Sequence, residues 1–190
     1  MKITHTMLVA ALAIGSAQFV IAQDKPAEEQ KDKAPASQPA GPIDYKKLKE
    51  QLPATLAGCN RTEASGEKTG LGDFKVSMAR GTYVKDKEKD DSPRIELQIQ
   101  DFGTNKQMIE GMSYWTKLEL DKEGDDGFQK TLKIQEQPAM QEYRNDGKSG
   151  TLTLVVGERY FVTVNSTGLS ADEFKKLGDE LKLKELAALK

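Results

Sequence analysis

Apolar and β-branched residues are densest between residues 149 and 168, SGTLTLVVGERYFVTVNSTG, where two runs flank Gly157-Glu158. Burying each large apolar side chain stabilises by roughly 1.5–3 kcal/mol, which makes this ribbon the predicted centre of a sheet. A two-residue Gly157-Glu158 loop of type II′ is the expected connection, because glycine suits its first central position. That register puts Leu152, Leu154, Val156 and Phe161 on one face and Val155, Tyr160, Val162 and Val164 on the other, so helices should cover both. A three-residue loop would instead gather Leu152, Leu154, Val156, Tyr160, Val162 and Val164 on one face.

The same patterning orders the rest of the chain. Tyr45, Leu48 and Leu52 form one stripe of a short helix that Pro53 should end. Residues 60–68 read as a weak polar strand, and residues 74–84 alternate, with Phe74, Val76 and Met78 on one side. The charged stretch 85–93, KDKEKDDSP, reads as a solvated hairpin tip. Residues 94–101 then place Ile95, Leu97 and Ile99 inward and Glu96, Gln98 and Gln100 outward. Thr104 and Gln107 form a capping-box pattern that opens a helix whose apolar face is Met108, Ile109, Met112 and Trp115.

Residues 119–127 read as an acidic turn, and Phe128, Leu132 and Ile134 mark the next strand, with Lys130 interrupting its inward row. After Pro138, residues 140–145 read as a more polar strand at the sheet edge, turned by Asp146-Gly147 into the central hairpin. The last helix has a full start signal: Ser170 as N-cap, Glu173 completing the capping box, and Leu169 stapled onto Phe174. Leu177 and Leu181 continue its stripe, and Leu183, Leu186 and Leu189 add an apolar turn. Helix, three strands, helix, four strands, helix predicts an α+β class: a largely antiparallel sheet of about seven strands with helices on its faces, sandwich-like.

Composition changes the picture mainly at the N-terminus. Met1-Lys2, an apolar run over residues 7–21 and a small-residue site ending at Ala22 are the parts of a secretory signal peptide. Residues 23–42, QDKPAEEQKDKAPASQPAGP, hold four of the seven prolines and no large apolar residue, and are expected to be a disordered tether. Residues 43–190 then form one domain, periplasmic or secreted, with no integral span after cleavage.

Cleavage removes the only histidine, His5, and leaves Cys59 as the only cysteine. Without Lys2 the mature chain carries 27 basic and 30 acidic residues, a net charge of −3, which argues against nucleic acid as a partner. Ser–His and Cys–His nucleophile systems and histidine-based zinc sites are excluded. Gly70-Leu71-Gly72 lacks the third glycine of a dinucleotide loop, and Asp121, Glu123, Asp125 and Asp126 miss the spacing of a calcium loop. No cofactor or catalytic residue is expected.

The chain resembles a group of exported bacterial proteins without assigned function. The pattern is Gly66-Glu67-Lys68-Thr69-Gly70, the strand through Tyr83, IELQIQDFG, the acidic DDGF and the VGERYFV hairpin, spanning residues 44–189. More loosely, the element order is similar to PsbP-like domains, which implies an α/β/α sandwich and a binding or accessory role. Neither resemblance carries site residues over. The expected function is a non-catalytic binding module in the cell envelope with a protein partner. The alternatives are a carrier for a small hydrophobic ligand or lipid near Trp115, and a histidine-free enzyme. Tyr114, left off the helix's buried face, is the candidate contact residue.

Overall fold

The computed structural model describes residues 41–189 apart from Asp73 and Asp90, so the expected leader and all of the tether except Gly41 and Pro42 lie outside the described residues. Nine strands form one antiparallel sheet: β1 (Thr55–Leu56), β2 (Cys59–Leu71), β3 (Phe74–Val84), β4 (Arg94–Asp101), β5 (Asp121–Gly124), β6 (Gly127–Ile134), β7 (Gln137–Arg144), β8 (Ser149–Val156) and β9 (Tyr160–Thr167). Their order across the sheet is β1-β2-β3-β4-β9-β8-β7-β6-β5. The helices are short: α1 (Tyr45–Glu50), α2 (Lys106–Met112), α3 (Ala171–Lys176) and α4 (Leu183–Ala188), with single 3₁₀ turns at Tyr114–Lys117 and Leu177–Glu180.

This corrects the expected sandwich. The sheet has nine strands rather than seven, and helices of six or seven residues cap it without forming layers, so the fold is β-rich. One cause lies at residues 119–127, where the expected acidic turn is a hairpin: β5 pairs with β6, Asp121 opposite Lys130 and Gly124 opposite Gly127. The other lies in the last helix. It starts as expected, with the Ser170 hydroxyl accepting from the Glu173 N–H at 3.3 Å and the Glu173 carboxylate accepting from the Ser170 N–H at 2.8 Å. It then breaks at Lys176, because the Gln135 amide bonds the carbonyls of Gly178, Asp179 and Leu181 at 3.1, 3.3 and 2.9 Å.

The central hairpin takes the three-residue register instead of the two-residue one. Val156 faces Tyr160 and Leu154 faces Val162, so the large aliphatics gather on a single face. Gly157 and Glu158 are both left-handed, at φ 58° and 53°, and Val156 C=O accepts from Arg159 N–H at 3.2 Å. Two positive φ values make the turn type I′, whereas type II′ needs only the first.

Two smaller expectations also change. β7 is interior, between β6 and β8, and not at the edge; Pro138 is tolerated because the pairing with β8 stops at Ala139. The N-cap of α2 is Asn105, one residue later than Thr104, with its side chain accepting from Met108 N–H at 3.3 Å.

The main core lies on the sheet face to which Ile95, Leu97, Ile99, Leu152, Leu154 and Val162 project, under α1, α3 and α4. Phe174 is wholly buried there, and its ring lies so close over Gly150 that an added Cβ would meet it at 2.5 Å. Two tyrosine hydroxyls of this core have buried acceptors: Tyr83 donates to Pro53 C=O at 3.0 Å and Tyr143 to Leu169 C=O at 2.7 Å. Burial pushes the Tyr83 phenol up to about 12, against a smaller opposing effect of Arg61.

Candidate interaction surface

The inward row of β4 does not end with Ile99. Asp101, next on the same face, is fully buried and bound from four directions. Its carboxylate accepts from Arg159 Nε at 2.9 Å and Nη2 at 2.8 Å, from Gly103 N–H at 2.7 Å and from Ile43 N–H at 2.8 Å. The bidentate pair with a charged fork is the strong form of this interaction. It lifts the Arg159 pKa further, chiefly through the hydrogen bonds to Asp101. The Arg159 guanidinium also lies 5.2 Å from the Tyr160 ring. All of Asp101's acceptor capacity is spent on structure, so it is no general base; it is a clamp between the end of β4 and the turn of the β8–β9 hairpin. Sequence parity, which aligns Asp101 with Ile95, Leu97 and Ile99, was the signal that could have found it.

The opposite sheet face has a different character. A second, smaller cluster of Phe102, Ile109, Trp115, Val155 and Phe161 sits there, with Val76, Met108, Met112 and Met140 half-buried around it. Phe102 meets Phe161 edge-on at 5.9 Å, and Phe74 reaches Phe102 at 6.4 Å. Its cover is the crossover from β4 to β5, made of α2 and the following 3₁₀ turn. Polar side chains elsewhere on this face pair with one another: Arg80 pairs with Glu96 at 3.1 Å, and Thr151 donates to Asn165 Oδ1 at 3.0 Å.

Four large apolar residues are exposed among those described: Leu71 at 87%, Tyr114 at 68%, Leu118 at 51% and Phe74 at 40%. All four belong to this second side. β2 and β3 run past the end of β4, so Leu71 and Phe74 form a projecting pair that shares its face with Val76. Tyr114 lies in the 3₁₀ turn and Leu118 just after it, on the crossover. The sequence points to Tyr114 through helical spacing; it gives no sign of Leu71, which reads as part of a glycine turn.

The other candidates are not assembled into sites. Cys59 is buried, with its Sγ 3.7 Å from Pro93 C=O, and burial pushes its thiol up. Among the described residues, Asp121, Glu123, Asp125 and Asp126 are strung along a hairpin, and no three acidic or cysteine side chains gather as a metal-holding group. The grooves beside β6–β7 and across β7–β9 are open and lined largely by polar side chains such as Lys122, Glu142, Arg144 and Asn165. No described helix is long and apolar enough to cross a membrane.

Comparison with known proteins finds no matching family model, curated protein or solved structure.

Proposed function

We propose that the protein is a non-catalytic, exported envelope module that docks a partner protein through the second side of its sheet. One observation carries this reading: every large apolar side chain exposed among the described residues falls on that side, around a cluster with a thin cover. Scattered exposed apolar residues are ordinary, but a gathered set marks an interaction surface. Tyr114 supplies rigid contact area at low entropic cost, as interface tyrosines do. The open polar grooves do not suit an enclosed hydrophobic ligand, so a protein surface is the better fit.

The test is a pull-down from an envelope extract with wild type, Tyr114→Ala, and the triple variant Leu71→Ser/Tyr114→Ala/Leu118→Ser. Stable, folded variants should lose partners stepwise. A triple variant that keeps every partner would rule this surface out. Export is checked by the mass of the mature chain, which should begin at Gln23.

A further inference from the structure

The methionines are sorted between the two sides of the sheet. The buried residues of the main core include no methionine. All four methionines among the described residues project to the second side and are half-buried: Met78, Met108, Met112 and Met140. Three of them, Met108, Met112 and Met140, pack against one small cluster together with Trp115. Met108 and Met112 are four residues apart on α2 and so are neighbours on one helix face. Met140 comes from β7, the strand on which the 3₁₀ turn carrying Trp115 packs. A core needing only volume would be filled as well by leucine, and the main core is. What thioethers add is a soft, polarizable sulfur lone pair, and these three residues are half-buried, not sealed in the core.

We propose that Met108, Met112 and Met140 form a thioether site for a soft monovalent cation, Cu(I) or Ag(I), beside the indole of Trp115. Soft sulfur ligands select such ions over zinc, magnesium or calcium. The indole face adds cation–π attraction, for which tryptophan is the best side chain. Thioethers carry no proton to displace, so binding differs from that of thiolate, imidazole or carboxylate sites in being flat with pH.

Trp115 is the chain's only tryptophan and reports directly on the site. Purified protein in chloride-free buffer is titrated with silver nitrate, followed by tryptophan fluorescence and native mass. One Ag(I) should bind per chain, equally at pH 5.5 and 7.5, and Cys59→Ser should bind it unchanged. Met108→Leu/Met112→Leu should bind at least tenfold more weakly and Met78→Leu normally. Leucine preserves volume, and Met140→Leu alone supplies a second reading if the double variant unfolds. No stoichiometric binding, loss in Cys59→Ser, or full binding in both Met108→Leu/Met112→Leu and Met140→Leu overturns the proposal. No partner protein is present, so failure here leaves the docking surface untouched.

Discussion

The two faces of this sheet are built from the same strands to opposite ends. On the first, aliphatic rows from six adjacent strands, β3 to β9 and β8 to β6, are sealed by α1, α3 and α4, and even the tyrosine hydroxyls have buried acceptors. On the second, a five-residue buried cluster sits under one crossover, and what surrounds it is half-exposed methionine, exposed aromatic and self-paired polar side chains. Stability should therefore reside on the first face and recognition on the second. A loop-rich active site is not needed to find a candidate surface; asymmetry in how completely a sheet is covered is enough.

The largest expected effects test the first face. Phe174→Ala should cost about 3–5 kcal/mol, since a wholly buried ring packed on Gly150 leaves a cavity. Arg159→Ala should cost a similar amount, about 3–5 kcal/mol, because it strands the Asp101 carboxylate in a fully buried position. Both are read by denaturant unfolding; losses under about 1 kcal/mol would erase the contrast between the faces.

The capping box comes next. Ser170→Ala should cost about 0.5–2 kcal/mol. Its pH dependence has a definite sign. The hydrogen bonds from Ser170 hold the Glu173 carboxyl below its ordinary 4.5, so its contribution is full above that value and is lost as pH falls through the depressed pKa. Stability of the wild type should therefore drop more steeply in that acid range than stability of Ser170→Ala. Parallel curves would contradict the cap.

Glu158→Gly should raise stability by about 0.5–1 kcal/mol, because glutamate is left-handed there and glycine accepts that conformation freely. Thermal unfolding measures it, and a loss would mean the turn that sorts residues between the faces needs the Glu158 side chain. The smallest effect belongs to the second face: Tyr114→Ala should change stability by no more than about 0.5 kcal/mol. A larger loss would make Tyr114 part of the packing instead of a contact residue.

Local signals were legible in the sequence and distant ones were not. The Ser170–Glu173 box and the alternation of β3 and β4 involve neighbours along the chain, and they stand as read. The hairpin register was missed because Arg159 is held by Asp101, 58 residues away, and so belongs to the turn. β5 was missed because DKEG has neither alternation nor β-branched residues. The β6–β7 turn, Gln135-Glu136, carries no glycine or asparagine; its left-handed backbone is held by Gln135 bonding the segment after α3. Of the candidate surface, Tyr114 could be read from helical spacing, whereas Leu71 depends on how far β2 and β3 outrun β4.

The clamp at Asp101 also sets where this domain can start. Among the described residues, the N-terminal contacts are Ile43 N–H on the Asp101 carboxylate, Lys68 Nζ on Pro42 C=O at 2.7 Å, and Arg159 on Gly41 C=O at 3.4 Å. A chain shortened to begin at Gly41 keeps all three. One that begins at Asp44 removes a donor from a carboxylate with no access to water, at a penalty of about 1–3 kcal/mol. Gly41 and Pro42, which read as the tail end of a proline-rich tether, are in energetic terms part of the fold.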